Sequence, residues 1–317
     1  MLSSFLITLE QMLRILLFLA IGFALNRFNI LPKGSGIGVS RLVTNLFLPA
    51  LLLHSNMTEF NPADVGQYGI LVLLGGLFWA VPTLLAMPLA KGLSKGDSLK
   101  YGIYEYSLSF PNTGAVAMPL IQVFMGNTGV FQYNLFALPM VIMTYAWGVE
   151  LFLDMERKNP VKRFFTHMLN PVFISLAVGL TLGALGARNW MPSLITDVVG
   201  DLRDCYVPAS LISAGYMMAE YPLKDAFRQS KSYLIIALRL LIIPLLGLGA
   251  IWLFGCSELV ATLALLVLAS PCGMNVVIFP AAYGKDCTTG VSLVLPSVLG
   301  AILTVPVLYA LLQVVIG

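Results

Sequence analysis

Apolar runs of bilayer-spanning length recur along the whole chain with only short polar interruptions, which leaves no stretch for a soluble core. A spanning helix needs about 20 mostly apolar residues. Such runs fall near 5–26, 37–55, 68–90, 99–125, 129–152, 169–187, 195–218, 230–254, 259–283 and 288–315 of the 317 residues. Only 10% of the residues are charged and 58% are hydrophobic, against about 25% charged in soluble domains. The expected fold class is an all-α polytopic membrane protein with ten transmembrane helices. Met1 to Glu10 contains no Lys or Arg, so the first run reads as a retained helix rather than a cleavable signal.

Loop charge gives the expected orientation. Arg27, Lys33 and Arg41 mark the first connection, Lys91, Lys95 and Lys100 the third, Arg157, Lys158, Lys162 and Arg163 the fifth, Lys224, Arg228 and Lys231 the seventh, and Lys285 the ninth. The alternate connections carry Glu59, Asp64, Asp197, Asp201 and Glu258, with Arg188 their one basic residue. Basic loops stay cytoplasmic. Both termini are therefore expected outside, in a multi-pass protein of the cell membrane.

Prolines suggest a duplication. Pro49, Pro82, Pro111 and Pro119 recur as Pro208, Pro244, Pro271 and Pro280, each about 160 residues on, which is roughly half the chain. The halves 1–158 and 159–317 would each hold five spans. An odd number forces the second copy to enter the membrane upside down, the inverted-repeat plan of many secondary transporters.

Two spans carry helix breakers. The fourth contains Pro111, Asn112, Thr113 and Gly114, and the ninth contains Pro271, Cys272, Gly273, Met274 and Asn275. Proline removes a helical amide and clashes with the preceding turn, while glycine admits non-helical dihedrals. Such backbone is tolerated at membrane depth only where protein or a water-filled cavity satisfies it. Each break bares the N-terminal end of a half-helix, whose amides favour an anionic group. These nine residues form the candidate substrate site. Simple packing kinks are the plainer alternative.

Further candidates are polar groups near the membrane interior. Asn45 and Asp204 each lie four residues before an equivalent proline. Asn45 is expected at the substrate site. Asp204 is a candidate for cation or proton coupling, although Arg203 and Asp201 beside it fit a hydrated helix end equally. Glu105 lines a vestibule or sits near the headgroups with Lys100, and it is the second coupling candidate. Arg239, isolated among apolar residues, could draw in an anionic substrate, compensate an acid or snorkel. Glu10 and Arg14 are spaced for a structural pair.

Several classes fail on content. His54 and His167 are too few for a metal site, and Cys205, Cys256, Cys272 and Cys287 lack ligand or redox spacing. No phosphate-binding loop or nucleophile–base arrangement occurs. No catalytic residue, cofactor, metal or nucleic-acid partner is expected.

The chain resembles the auxin efflux carrier family, within the bile acid:sodium symporter-like fold superfamily, and is nearest to its bacterial malate and malonate permease-like members. The resemblance rests on the run from Ser40 to Leu51, on Phe110 to Gly114 with Met118, Pro119 and Leu120, on Asn170 with Pro171, on Ala269 to Pro271, and on Tyr283 with Gly284. It implies a scaffold of spans 1, 2, 6 and 7, often the homodimer-forming part. Spans 3 to 5 and 8 to 10 would form a moving transport domain with the broken spans crossed at its heart. Asn112 matches the family's crossover asparagine, and Asn275 lies in the equivalent region of span 9. The short loop after span 5 resembles bacterial members and gives no reason to choose auxin. The related sodium symporters hold cations near their crossover, but neither break here contains an acid. The function expected is elevator-type transport of a small organic anion, such as a dicarboxylate, with the lipid bilayer as surroundings. A cation-coupled symporter and a substrate-gated channel or membrane sensor remain the alternatives.

Overall fold

A computed structural model describes residues 2–32, 34–114, 116–152, 170–220, 227, 229–282 and 284–316. The described elements are helical: α1 Leu2–Arg27, α2 Ser35–Glu59, α3 Val65–Ser94, α4 Ser98–Ser109, α5 Ala117–Met143, α6 Pro171–Ala184, α7 Ser193–Asp204, α8 Tyr206–Ala219, α9 Ser230–Phe254, α10 Glu258–Ala269, α11 Asn275–Ala282 and α12 Thr288–Ile316. The basic residues expected at Lys33, between 157 and 163, and at Lys224 and Arg228 lie outside the described residues, as do His167, Tyr283 and the boundary between the two halves.

Six segments are long and apolar enough to cross a membrane: Phe5–Arg27, Ser35–Glu59, Pro62–Ser94, Ala117–Phe152, Ser230–Phe254 and Thr288–Ile316. The protein is thus a multi-pass membrane protein. Ten spans are expected, and six are found among the described residues. The remaining helices are short: α4 and α10 have 12 residues each, about 18 Å at 1.5 Å per residue, α6 has 14, and α7 and α8 meet at Cys205. Helix α5 runs on through Gly126, whose φ of 64° and ψ of −156° mark a sharp change of direction.

The outer surface is apolar along whole helices. Leu73, Leu77 and Leu84 on α3 and Leu246, Trp252 and Leu253 on α9 are all more than half exposed, a surface that water would penalise and lipid does not. Inside, α1 packs on α8, α2 on α6 and α7, α3 on α4 and α5, and α12 on both α1 and α10. Prolines near helix centres coincide with wider π turns, at Val43–Phe47 before Pro49 and at Leu238–Ile242 before Pro244. Asp97 caps α4 by accepting from the Lys100 amide at 3.0 Å. That amide and the Lys100 ammonium hold the Asp97 carboxyl below the usual carboxylate range.

Glycine fixes the α1–α8 contact. A methyl group at Gly22 would collide with the Ile212 carbonyl, and one at Gly215 with the Leu19 carbonyl. Gly215→Val therefore costs about 1–3 kcal/mol of overpacking and lowers the melting temperature of detergent-purified protein. Gly249→Ala, which faces open space, leaves it nearly unchanged.

Candidate functional site

The two interrupted segments meet. After Ser109 the chain becomes extended at Phe110 (φ −120°, ψ 92°), and after Ala269 it does so at Ser270 (φ −66°, ψ 144°). Pro111 and Cys272 then pair as a single antiparallel bridge. The Asn112 amide donates to the Pro271 carbonyl at 2.8 Å, and the Cys272 amide donates to Ser297 Oγ at 3.1 Å. Proline explains why both helices end here, since neither Pro111 nor Pro271 can donate the next helical bond. Glycine explains why they touch: a Cβ at Gly273 would lie 2.7 Å from the Phe110 carbonyl oxygen.

A cavity of about 290 Å³ opens beside this junction. Pro111, Asn112, Thr113 and Gly114 line it from one segment and Gly273, Met274 and Asn275 from the other. Helices α5 and α11 begin at Ala117 and Asn275, so the cavity stands at helix N-termini, where amides lack intrahelical partners. Asn275 Nδ2 donates to the Tyr106 hydroxyl at 2.7 Å. Tyr206 supplies another hydroxyl, so close to Gly114 that a Cβ there would lie 2.5 Å from it. Tyr106, Phe110, Tyr133, Tyr145, Phe173 and Tyr206 make the wall strongly aromatic. No charged side chain lines it among the described residues. A larger groove of about 410 Å³ between α3 and α9 has apolar walls and offers almost nothing to orient a polar solute.

The other candidates lie elsewhere. Pro271 and Cys272 form the junction itself but do not line the cavity. Asn45 turns away and donates to the Arg41 carbonyl at 2.8 Å, while its neighbour Thr44 faces the cavity. Asp204 is exposed and paired with Arg203 at 2.9 Å, and Arg203 also contacts His54 Nδ1 at 3.2 Å, which matches the hydrated helix end. Glu105 does not line the cavity. It is fully buried, and Ser109 Oγ donates to its Oε1 at 2.8 Å while Oε2 has no partner among the described residues. Gly102, one turn earlier, has no side chain to hold α4 off the Leu151 carbonyl, and Lys100 pairs with Asp97 instead. Arg239 does not snorkel. It is 1% exposed and bonded to main-chain carbonyls outside the cavity. Glu10 and Arg14 pair at 2.6 Å. The tyrosines at 106 and 206 were the residues missed. Their one signal is a polar tip on an apolar ring just ahead of Pro111 and Pro208.

Beside Leu52 and Tyr133, which line the cavity from α2 and α5, Asn134 Nδ2 donates to Ser55 Oγ at 3.0 Å, Thr128 Oγ1 donates to Glu59 Oε2 at 2.6 Å, and Phe131 stands edge-on to Phe60 and Tyr68. The two ring contacts, about 0.5–1.5 kcal/mol each, tie α5 to the end of α2 and to α3. Phe131→Ala, which empties a buried ring site, should therefore cost about 3–5 kcal/mol and lower the melting temperature of detergent-purified protein.

The sequence profile of a family described as membrane transport protein matches the chain over residues 7–168 and 161–309, most of its length. No curated protein matches it.

Proposed function

For a chain that belongs to the membrane transport protein family, the auxin-efflux-carrier-like family of the bile acid:sodium symporter-like superfamily, we propose secondary transport of a small organic anion by alternating access. Such a family is one of carriers, not enzymes. The observation that carries the reading is the junction of two interrupted helices, Pro111 against Cys272, opening onto a cavity with Asn112 and Asn275 in its wall. Amides at helix starts favour a carboxylate, and the aromatic wall suits the body of the solute. With no cationic side chain in that wall, one carboxylate is easier to hold than two. A dicarboxylate such as malate or malonate remains within the proposal.

In this reading the six long helices and the shorter pieces make ten spans in two inverted five-span repeats, with spans 4 and 9 broken where they cross. The packing of α1, α2, α6, α7 and α8 on one another supports a scaffold, with spans 3 to 5 and 8 to 10 moving against it as an elevator. A homodimer would form through the scaffold, and both termini would face outward. Titration of purified protein with indole acetate and malonate tests the reading. Saturable binding to at least one, absent for a cationic control, is the expected result; binding of the cation alone overturns it.

One observation favours a second reading, a cation-coupled cycle. Glu105, fully enclosed with one oxygen unpartnered among the described residues, is a better coupling residue than the exposed Asp204. Transport that depends on a proton or sodium gradient and loses that dependence in Glu105→Gln would establish it. Transport indifferent to both gradients removes it.

A further inference from the structure

We propose that Arg239 gives the junction its preference for anions from behind, holding a fixed positive charge against the cavity wall without touching the solute. The inference rests on reading the junction as an anion site. The π turn Leu238–Ile242 in α9 carries Arg239 into the interior, where it is 1% exposed. Its Nε donates to the Ser270 carbonyl at 3.0 Å, one Nη to that of Leu108 at 2.9 Å and the other to that of Val267 at 3.0 Å. These carbonyls close the last turns of α4 and α10, the negative ends of both half-helices. One guanidinium thus ties the two interrupted segments together.

Capping does not require the charge. On α3 in the first half, Trp79 makes a comparable bond at the end of α4, its neutral Nε1 donating to the Ser109 carbonyl at 3.1 Å. One half therefore caps its break with a neutral indole and the other with a cation, although a buried cation is the costlier choice. No carboxylate pairs with Arg239 among the described residues; Glu105 bonds to Ser109 instead. Guanidinium stays protonated throughout the accessible pH range. The charge is also close: Pro111 lines both the cavity and a void of about 10 Å³ that Arg239 borders. In a medium of low dielectric constant, a unit charge behind one residue's thickness of wall favours a negative solute and penalises a positive one.

The test compares charged and neutral isosteres on detergent-purified full-length protein: indole acetate with indole acetamide, and malonate with malonamide, by calorimetric titration. Wild type binds the anion of at least one pair more tightly than its amide. Arg239→Lys keeps that preference, and Arg239→Gln lowers it about tenfold with the amide's affinity little changed. Should Arg239→Gln fail to fold, Trp79→Arg, which adds a second charge beside the same junction, is expected to raise the preference. An Arg239→Gln protein that keeps the preference, one in which anion and amide weaken equally, or a Trp79→Arg protein with no rise overturns the proposal. Wild type without preference for either anion refutes the anion reading itself, and this inference with it.

Discussion

Asn112→Ala combined with Asn275→Ala abolishes saturable anion binding while the protein still folds. Hydrogen bonds to a charged group contribute about 1.5–3 kcal/mol each, so losing two weakens binding by roughly 10²–10⁴-fold. The folding cost is small. Asn275 gives up one bond to the Tyr106 hydroxyl, worth about 1 kcal/mol, and the Asn112 bond that fixes the backbone is made by its amide, which alanine retains. Single substitutions should fall between wild type and the double variant. Titration calorimetry paired with a melting curve separates the two effects. Wild-type affinity in the folded double variant would remove the asparagines from the site.

Gly273→Val should be nearly as severe, through geometry rather than chemistry. The Cβ would sit 2.7 Å from the Phe110 carbonyl oxygen, and that backbone has little freedom to retreat. The Pro111–Cys272 bridge and the Asn112 bond to Pro271 hold it from one side, and the Tyr106 ring, whose hydroxyl Asn275 engages, packs on Phe110 at 4.6 Å. Overpacking of this kind costs about 1–3 kcal/mol. It would also part the two segments, so binding falls below detection as the melting temperature drops. Gly38→Ala, with open space around it, is the matched control. A Gly273→Val protein with wild-type affinity and melting temperature would mean that the segments need not touch.

The membrane class and the two breaks were legible because proline and glycine act locally. Pro111 and Pro271 cannot donate the next helical bond, and each stands beside Gly114 or Gly273, whereas Pro82, Pro88, Pro296 and Pro306 sit inside continuous helices; long apolar runs have no other destination. Span boundaries were less legible. The change of direction at Gly126 depends on a single left-handed residue, and the short half-helices look continuous when hydropathy is averaged across them. Side-chain direction was hidden altogether in helices that are apolar on every face. Arg239 and Glu105 are examples. Sequence places Glu105 near a break and Arg239 in another span, but only the close approach at Gly102 and the π turn in α9 show that both point into protein rather than into the cavity. Asn45 is a further case: Ser40, Thr44, Leu48 and Leu52 face the cavity at helical spacing while Asn45 bonds back to the Arg41 carbonyl.

If the junction of the broken helices binds and moves an anion, rapid addition of solutes to reconstituted vesicles drives charge movement; the solutes are malate, malonate, succinate, indole acetate, neutral amino acids and a cationic control, without sodium or a pH gradient. The expected result is a saturable current confined to anions and missing in the Asn112→Ala and Asn275→Ala double variant. A current carried by the cation, or an anion current that persists unchanged in the double variant, would contradict it.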